Sequence, residues 1–371
     1  MAKASSEDRL WMASALALAR RGLGRVAPNP TVGCIIVAEG RAVGRGWTQP
    51  GGRPHAETEA LHRAGEAARG ATAYISLEPC SHHGKTPPCT DALTAAGVAR
   101  CVISCEDPDP RVSGRGIAAL RAAGIEVEIG LFAEEAQELN RGFFLNKLAS
   151  RPLLTLKLAT SLDGRIALAS GESKWITGEA ARARAHLLRA GHDAILVGAG
   201  TALADDPRLD ARLPGLEDRS PLRVVLDRRL RLPHGHDLVS RARDRATLLF
   251  TAPGHSDEEL APYRDGGVEV VEAASTTDES DFPETVLQHL AQRGLTRVLL
   301  EGGAQTATAF LQAGLVDRLE WFRAPMVIGA DGLSGMAALH LESLLQAPIF
   351  QREDLEQLGA DLLERYRREA A

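Results

Sequence analysis

Three residues of types that bind zinc stand at spacings typical of a catalytic metal site: His55, Cys80 and Cys89. A catalytic zinc ion takes three protein ligands and leaves the fourth position for water, and one imidazole with two thiolates supplies such a set. Glu57 follows the histidine by two residues, which places a carboxylate near the metal, where it can take a proton from water. We therefore predict that these three residues hold one zinc ion and that Glu57 moves the protons.

The order of these residues along the chain is equally specific. A His-x-Glu triplet followed by Pro-Cys and a second Cys is the pattern of the zinc deaminases, in which the glutamate is an acid/base and not a ligand. The alternative is that His55, Cys80 and Cys89 are unrelated, because buried free cysteines are common and single His-x-Glu triplets occur by chance. The joint pattern, set between strands and helices in a consistent order, favours the metal site.

Other cysteines and histidines have different explanations. Cys34, Cys101 and Cys105 each fall in an apolar stretch predicted to be a strand, so core packing explains them better than metal binding. His82 and His83 lie between the two ligand cysteines, where either could contact a substrate or simply belong to a polar loop. Five cysteines in a chain without an export signal argue against a disulfide framework.

Alternating strands and helices are predicted to position these residues. His55 and Cys89 would each begin a helix, whose free N–H groups and positive dipole end favour thiolate over thiol, and Cys80 would follow a strand. Such alternation is typical of a mostly parallel sheet covered by helices. The elements predicted in the first half are a helix at 10–19, a hairpin at 31–38 and 41–47, a helix at 55–66, a strand at 71–77, a helix at 89–96, a strand at 98–105, a helix at 114–123, a strand at 125–130 and a helix at 134–149.

The length of the chain predicts two domains. Its 371 residues are too many for a single domain with one core, since domains run to roughly 100–200 residues. Proline restricts the residue before it to extended geometry, so Arg151-Pro152 indicates a boundary near 150 and domains at 1–149 and 150–371. The elements predicted in the second half are strands at 153–159, 193–198, 222–227, 246–250, 268–271, 296–300 and 317–328, and helices at 178–190, 283–293 and 304–313, with variable loops over 252–282.

Charge and hydropathy favour an enzyme that acts on small molecules. The net charge is −6 and the isoelectric point is near 6.0, and the basic residues are interspersed with acidic ones, whereas nucleic-acid binders show a clustered basic face. No apolar stretch reaches the ~20 residues needed to span a bilayer, and the apolar run at 10–19 lacks the cleavage pattern of a signal peptide. We expect a cytoplasmic protein with a small-molecule substrate, and neither a nucleic acid nor a membrane as partner.

Longer motifs identify a family. The segments NPTVG at 29–33, HAE at 55–57 and LEPCSHHGKTPPC at 77–89 closely resemble the bifunctional riboflavin-biosynthesis deaminase/reductases. The eight residues between the ligand cysteines match that family, whereas most cytidine and tRNA adenosine deaminases have two. The second half carries motifs similar to those of the family's reductase: KLATSLDGR at 157–165, GESKWIT at 171–177, GAGTALADDP at 198–207 and EGG at 301–303.

The resemblance implies a fold and two consecutive reactions. The first domain would have the three-layer α/β fold of the cytidine deaminases, and the second would be an α/β domain resembling dihydrofolate reductase. Zinc-dependent hydrolysis would remove the 2-amino group of 2,5-diamino-6-(ribosylamino)-4(3H)-pyrimidinone 5′-phosphate. NADPH would then reduce the ribosyl group to ribityl. A homo-oligomer, dimer or tetramer, is also implied.

The resemblance further implies the residues of each site. Asn29 would contact the pyrimidine. On the substrate of the second domain it places Ser173, Arg189, Leu209, Arg212 and Glu301, of which the arginines suit a phosphate. Along the NADPH cofactor it places Ala159, Trp175, Thr201, Asp205, Gly303, Ala304, Gln305, Thr306, Ala307, Thr308 and Ala309.

Several roles in the reductase half have alternatives. Asp205 could assist protonation as hydride reaches the sugar carbon, or it could cap the loop before Pro207; Lys157 could instead be the charged group beside the reacting sugar. Arg228 could bind the 2′-phosphate of NADPH or lie on the surface. Gly302-Gly303 before a helix would let the backbone approach phosphate. A Gly-Gly turn is more often only a tight connection, and the Rossmann glycine pattern is missing, so the NADPH prediction depends mainly on the resemblance.

Three other functions remain open at this point. A nucleic-acid or nucleoside deaminase with an accessory C-terminal domain would use a similar zinc pocket, although the charge and the cysteine spacing argue against it. A zinc-stabilised binding protein without activity would need a fourth ligand, such as His82 or His83. A deaminase with an inactive reductase half fits the motifs as well.

Overall fold

The computed structural model describes residues 5–84, 86–110, 112–273 and 281–369. The chain divides into two units, Met1–Arg151 and Pro152–Ala371, and each has its own sheet and its own core. Within the described ranges, no helix has both the length and the hydropathy that crossing a membrane requires.

The first unit is built on a five-stranded mixed sheet. Its helices and strands are α1 (Ser6–Ala19), β1 (Gly33–Ala38), β2 (Arg41–Trp47), α2 (Ala56–Ala64), β3 (Thr72–Ile75), α3 (Cys89–Ala95), β4 (Arg100–Ile103), α4 (Arg115–Ala122), β5 (Glu126–Ile129), α5 (Ala133–Leu139) and α6 (Arg141–Ala149). The strands lie in the order β2-β1-β3-β4-β5, with β1 antiparallel to β2 and β3, and β3, β4 and β5 parallel. The prediction of a mostly parallel sheet is therefore confirmed for β3, β4 and β5 but not for β1, which is antiparallel to both of its neighbours.

Helices cover both faces of this sheet. Gly33 lies against α1, since a Cβ added there would come within 1.9 Å of the Ala15 carbonyl oxygen. Gly46 lies against α2, where an added Cβ would come within 2.1 Å of the Ala56 carbonyl oxygen. Gly46 pairs with Cys34, the neighbour of Gly33, and successive strand residues face opposite sides. The helices α1 and α2 therefore lie on opposite faces, which gives the three-layer arrangement.

The three cysteines outside the metal pattern are buried in the core of this unit, as the packing explanation predicts. Cys34, Cys101 and Cys105 all belong to the cluster of buried residues between the sheet and its helices. One detail of the prediction is wrong: Cys105 does not lie in a strand, because β4 ends at Ile103 and the chain bends there.

The helix predicted at 134–149 is two helices, α5 and α6, which meet at Asn140. The Asn140 side chain accepts a hydrogen bond from the Thr31 backbone N–H at 2.8 Å and donates one to the Thr31 carbonyl oxygen at 3.0 Å. Both groups are buried, so this long-range pairing satisfies backbone atoms that would otherwise lack a partner. A contact between positions this far apart is invisible in local sequence, which explains the missed break.

The second unit is built on a nine-stranded sheet. Its elements are β6 (Leu153–Thr160), β7 (Arg165–Ala167), α7 (Glu179–Ala190), β8 (Ala194–Gly198), α8 (Ala199–Asp205), β9 (Leu222–Leu226), α9 (Asp237–Ser240), β10 (Thr247–Thr251), α10 (Asp257–Asp265), β11 (Glu269–Glu272), α11 (Phe282–Gln292), β12 (Arg297–Glu301), α12 (Ala304–Gln312), β13 (Arg318–Arg323), β14 (Leu333–Ser334), β15 (Phe350–Leu358) and β16 (Asp361–Arg368). The strand order is β11-β10-β9-β8-β12-β6-β13-β16-β15.

Seven strands of this sheet, from β11 to β13, run parallel, and the predicted α/β class of this unit is confirmed. The central strands are buried on both faces; β8 and β10 are buried at every residue. Strands of this kind appear as short continuous apolar runs in the sequence, and for that reason their positions could be predicted.

Two regions of the second unit differ from the prediction. Part of the segment 252–282, expected to be loops, forms the helix α10, which begins with a capping box between Ser256 and Glu259; this Ser-x-x-Glu signal was present in the sequence. Residues 274–280 of that segment lie outside the described residues. The C-terminal hairpin of β15 and β16 was not predicted, because β15 is an edge strand exposed along most of its length and lacks the apolar alternation of a half-buried strand.

A buried histidine in this unit makes stability depend on pH. The His192 ring lies beside the Leu188 carbonyl oxygen at 2.8 Å and the Thr155 hydroxyl at 3.1 Å, and burial lowers the pKa of His192 to about 3 from its ordinary value of 6.5. Below pH 6.5 the unfolded chain takes up a proton that the folded chain refuses. We expect the free energy of unfolding to fall by about 2 kcal/mol between pH 6.5 and pH 5 through this group, since one pH unit corresponds to about 1.4 kcal/mol.

Urea denaturation of the full chain at several pH values measures this effect. The matched variant His192→Gln keeps a side chain that can hydrogen-bond but cannot titrate, so its unfolding free energy should depend less steeply on pH. Equal slopes for the two proteins between pH 6.5 and pH 5 would contradict the prediction.

Candidate active sites

The three predicted metal ligands converge in the first unit. His55 is the residue that precedes α2, Cys89 is the first residue of α3, and Cys80 lies in the segment that follows β3. The His55 Nδ1 atom lies 3.3 Å from the Cys89 Sγ atom and 3.6 Å from the Cys80 Sγ atom. Ligands of one tetrahedral zinc ion lie about 3.5–3.8 Å apart at ordinary Zn–N and Zn–S bond lengths, so the donor atoms fit a zinc ion.

The electrostatics of the cluster suit a cation. Hydrogen bonds from the Cys89 thiol, from His55 and from the Cys89 backbone N–H lower the pKa of Cys80 to about 4. The pKa of Cys89 is raised because it hydrogen-bonds to Cys80 and is buried. Two thiols and an imidazole thus compete for protons in one small space, and a divalent cation can replace those protons.

The metal-binding group has three members, not four. Across the described ranges, the only His, Cys, Asp or Glu side chains whose ligand atoms cluster closely enough for a metal are His55, Cys80 and Cys89, all within 4.8 Å of one another. His82 and His83 line the adjacent cavity but do not join this group. Structural zinc sites are usually closed by four protein ligands, whereas catalytic sites keep one position open, so the arrangement favours catalysis over a purely structural role.

Glu57 lies beside the cluster, in the first turn of α2. Its side chain is only 3% exposed, and burial, with a smaller contribution from Cys80, raises the pKa of Glu57 to about 7. A carboxyl group that titrates near neutral pH can both accept and release a proton there. The cluster and Glu57 open onto a cavity of about 440 Å³ that Asn29 also lines; the Asn29 amide donates a hydrogen bond to the Gly52 carbonyl oxygen at 2.6 Å.

The cavity wall contains charged residues that the sequence interpretation missed. Asp107 and Asp109 line it together with Lys147, whose Nζ atom lies 3.1 Å from an Asp109 carboxylate oxygen. Burial raises the pKa of Asp107 to about 6. Asp107 and Asp109 follow β4, next to β3 in the parallel part of the sheet, and ligands bind beyond the carboxyl ends of such strands. The two aspartates could have been identified in this way, whereas Lys147 gives no such signal.

The second unit has a buried charged cluster at the end of the central strands. The Arg189 guanidinium donates two hydrogen bonds to the Glu301 carboxylate, at 2.7 and 2.8 Å, and one to the Asp210 carbonyl oxygen at 3.0 Å. Glu301 is the register partner of Lys157 across β12 and β6. Although burial opposes ionisation, Arg189 and Lys157 lower the pKa of Glu301 to about 2.

Lys157 lies beside both an aromatic ring and charged side chains. Its Nζ atom lies 5.8 Å from the centre of the Phe322 ring. Burial lowers the pKa of Lys157, while the negative charges of Glu301 and Asp205 act in the opposite direction. Asp205 is the last residue of α8. The structure therefore brings together Lys157, Glu301 and Arg189, with the Asp205 charge close enough to influence the lysine.

A second group of predicted residues surrounds the turn between β12 and α12. Gly302 and Gly303 both have φ near +79°, and a Cβ added at either would come within 3.1 Å of Thr201. A Cβ added at Gly198 would lie 2.1 Å from the Thr306 hydroxyl. Backbone packed this closely before a nine-residue helix leaves N–H groups available for phosphate oxygens, so the residues fit a dinucleotide such as NADPH.

The remaining predicted residues differ in their placement. Along α12, Gln305 is exposed, Ala304, Thr306 and Ala309 are half-buried, and Ala307 and Thr308 are buried; Thr308 accepts a hydrogen bond from the Ala337 backbone N–H at 2.9 Å. Ala307 belongs to the hydrophobic core, so its side chain is not available to a ligand.

The residues predicted on the substrate, and the two cofactor residues Ala159 and Trp175, lie in three places. Leu209 is buried, and Arg212 forms an ion pair with Asp210, next to Arg189. Ala159, on β6, is the register partner of Phe322 on β13. Ser173 is half-buried, and Trp175 is 66% exposed, with its ring 4.5 Å from the Arg182 guanidinium. Among the described residues, neither Ser173 nor Trp175 shares a hydrogen bond with the Arg189–Glu301 pair.

Arg228 follows β9 at the carboxyl end of the sheet. Its guanidinium carbon lies 5.3 Å from the centre of the Phe282 ring, and its carbonyl oxygen lies 3.2 Å from the His255 Nε2 atom. The side chain therefore packs on the amino-terminal end of α11. Both roles considered for it, contact with a 2′-phosphate and a surface position, remain predictions.

Comparison with known proteins gives matches to both units. Residues 5–105 match the model of the cytidine and deoxycytidylate deaminase zinc-binding region, and residues 152–363 match that of the RibD C-terminal domain. The chain is 42% identical to the riboflavin biosynthesis protein RibD of Escherichia coli, over 96% of this chain and 98% of that protein.

Solved structures agree over the same length. One form of Acinetobacter baumannii RibD superimposes with a TM-score of 0.87 at 40% identity, covering 98% of this chain and 99% of that chain. The Thermotoga maritima diaminohydroxyphosphoribosylaminopyrimidine deaminase/5-amino-6-(5-phosphoribosylamino)uracil reductase has a TM-score of 0.85 at 35% identity, with the same coverage. The similarity therefore extends across both units and is not confined to the zinc-binding region.

Proposed function

Because the chain belongs to the RibD family of bifunctional riboflavin-biosynthesis deaminase/reductases, we propose a division of its two reactions between its two halves. The protein is an enzyme with both activities, and it uses zinc and NADPH. It deaminates 2,5-diamino-6-(ribosylamino)-4(3H)-pyrimidinone 5′-phosphate and then reduces the ribosyl group to ribityl. The deaminase occupies residues 1–149 and the reductase residues 150–371.

In the deaminase, His55, Cys80 and Cys89 hold the zinc ion. The observation that carries this assignment is the convergence of their donor atoms within 4.8 Å beside a buried carboxyl group and a cavity. When bound, zinc supplies a Lewis acid that makes water ionise near neutral pH. Glu57 accepts the water proton and delivers protons to a ring nitrogen and to the departing amine. Asn29 orients the pyrimidine from the cavity wall.

In the reductase, the cluster around Glu301 binds the substrate. Arg189 and Arg212 attract its phosphate, Glu301 accepts hydrogen bonds, and Ser173 and Leu209 complete the contacts. When bound, NADPH supplies the hydride. Lys157 donates the proton that accompanies the hydride, and Asp205 assists by keeping the lysine charged, a proposal supported by the effect of the Asp205 charge on the pKa of Lys157.

NADPH lies along the turn and helix that follow β12. Thr201 and Gly303 support its phosphates, and the free N–H groups at the start of α12, in 304–306, continue the contact. The Ala307 N–H already donates to the Gly303 carbonyl oxygen, so 307–309 support the cofactor only by completing the helix. Ala159 and Trp175 complete the contacts with the cofactor. The proposal is supported by Gly302 and Gly303, which both have positive φ and are packed so closely on Thr201 that an added Cβ would come within 3.1 Å of it; such a turn exposes backbone N–H groups before a helix.

We also place the protein in the cytoplasm as a homo-oligomer, dimer or tetramer, without nucleic acid as partner. Two adjacent leucines in the second unit support an interface, since Leu344 is 89% and Leu345 is 94% exposed, and exposed apolar surface of this kind marks interaction sites. Light scattering after gel filtration measures the oligomeric state, and a mobility-shift experiment with tRNA and single-stranded DNA measures nucleic-acid binding. A monomer, or a shifted tRNA band, would contradict these proposals.

Mass spectrometry of the products tests the function directly. We expect purified zinc-loaded protein to exchange one amino group of the diaminopyrimidine phosphate for oxygen without NADPH, and to reduce the product only when NADPH is added. Deamination that never proceeds to reduction would contradict an active reductase half. If a metal assay shows zinc in the protein and neither change occurs, the deaminase assignment is wrong.

A further inference from the structure

Glu78, two residues before the ligand Cys80, has an unusual set of hydrogen-bond partners. Its carboxylate is buried and accepts four hydrogen bonds from backbone N–H groups of one distant segment. One oxygen accepts from Asp107 at 3.2 Å and Gly114 at 2.9 Å. The other accepts from Gly116 at 2.9 Å and Ile117 at 3.1 Å.

These four bonds hold both ends of the loop whose described residues are 106–110 and 112–114. The loop is further tied internally, because the Asp107 side chain accepts a hydrogen bond from the Asp109 backbone N–H at 2.8 Å. The Asp109 carbonyl oxygen accepts another from Val112 at 2.8 Å. Asp107, Asp109 and Val112 all line the cavity beside the metal-binding cluster. The wall of the cavity therefore depends on the position of Glu78.

The contact between this loop and the segment that carries the ligand Cys80 is also sterically tight. Gly116 lies in the first turn of α4, where an added Cβ would come within 2.2 Å of the Pro79 carbonyl oxygen and 3.1 Å of a Glu78 carboxylate oxygen. Pro79 is the residue between Glu78 and the ligand Cys80. The amino-terminal end of α4 is thus held directly against the chain that carries a metal ligand.

We propose that Glu78 is a positioning residue of the deaminase: its carboxylate fixes the loop that carries Asp107 and Asp109 against the cavity and so shapes the binding site for the aminopyrimidine substrate. Glu78 itself lines the same cavity, but its carboxylate oxygens accept their hydrogen bonds from the backbone of Asp107, Gly114, Gly116 and Ile117. We therefore assign its effect to the loop that these bonds hold. This inference rests on the deaminase site proposed above. It predicts a defect in substrate binding and not in metal binding or in the proton transfers.

The variant Glu78→Gln tests the proposal. The amide keeps one oxygen but turns an NH₂ group towards two of the four donors, which leaves them without an acceptor. We expect KM for deamination to rise about tenfold or more, with kcat within about threefold of the wild type and zinc content unchanged. Hydrogen exchange of the peptide 106–117, followed by mass spectrometry, should accelerate in the same variant. NADPH-dependent reduction of the deaminated intermediate should be unaffected.

Asp8→Asn is the matched control. Asp8 is another buried carboxylate of the first unit, with partners at 2.8 Å from Tyr74 and from Arg100, and it does not line the cavity. Its loss should lower stability without raising KM. An equal rise in KM for Asp8→Asn would overturn the proposal, because general loosening of the unit would then explain both results. Loss of zinc from Glu78→Gln would also overturn it.

Gly114→Ala tests the same proposal if the Glu78→Gln variant does not fold. Gly114 has φ +78°, and no atom lies within 4 Å of an added Cβ, so the substitution strains only the backbone of the loop. A rise in KM of about threefold or more with normal zinc content supports the proposal, and KM within about twofold of the wild type overturns it. If the proposed deaminase site itself were wrong, Glu57→Gln would leave kcat unchanged. That result differs from the outcomes above, so failure of the deaminase proposal and failure of the Glu78 proposal can be distinguished.

Discussion

Replacing Glu57 by glutamine is expected to lower kcat for deamination by about 10²–10⁴-fold while the protein keeps its zinc. Glutamine has nearly the shape of glutamate but cannot accept a proton from water or pass one to the ring nitrogen and the departing amine. The side chain is buried beside the ligands without being one of them, so the metal-binding set is unchanged. Deamination kinetics together with metal analysis of the same sample measure both effects.

Matched variants separate proton transfer from metal binding. Glu59 lies on the same helix as Glu57, forms an ion pair with Arg63 and does not line the cavity. The variant Glu59→Gln should therefore leave kcat nearly unchanged. Cys80→Ser removes a ligand and should lose both zinc and deamination. The reductase activity of each protein is an internal control for folding. If Glu57→Gln retains kcat within about threefold of the wild type, Glu57 is not the proton carrier.

The metal-binding cluster could be predicted because its signals are local. His55 precedes a helix, Cys89 begins one, and Cys80 follows a strand, and all three positions were expected from the hydrophobic pattern and from Pro and Gly. Once the strand and helices are in place, side chains at these ends must meet near one edge of the sheet. The residue types then identify the metal, because two thiolates with an imidazole favour zinc.

The surroundings of the cluster could not be predicted in the same way. Lys147 reaches the cavity from α6, and Glu78 holds a loop up to 39 positions away along the chain. Neither contact follows from spacing or periodicity. The same holds for Asn140, whose hydrogen bonds to Thr31 divide one predicted helix into two. Such pairings arise from tertiary structure, which overrides local preference.

The reductase site could be predicted even less well from local sequence. Its central pair, Arg189 and Glu301, is separated by 112 positions, and each residue alone would be an ordinary charged residue at the end of a helix or strand. Their assignment to the substrate came from the resemblance to a family. The structure adds that the pair is buried next to Lys157, and the sequence contains no local sign of that burial.

Replacing Lys157 by methionine is expected to lower kcat for reduction by about 10²–10⁴-fold and to leave deamination unchanged. Methionine fills a similar volume beside Phe322 but has no proton to donate as hydride reaches the sugar carbon. Because burial lowers the pKa of Lys157, its ammonium group gives up a proton more readily than an exposed lysine would. The rate of NADPH oxidation with the deaminated intermediate measures the effect.

Asp205→Asn distinguishes the two groups that could transfer this proton. The Asp205 charge raises the pKa of Lys157 against the effect of burial, so its removal should lower that pKa further and leave less of the lysine protonated. We therefore expect a loss of about tenfold in kcat and a shift of the alkaline side of the pH–rate profile to lower pH. If instead Asp205→Asn abolishes reduction and Lys157→Met costs little, the aspartate is the proton donor and the lysine only a neighbouring charge. Because neither variant changes Arg189 or Glu301, which form the buried ion pair, a difference between the two variants reflects the proton transfer and not the loss of that pair.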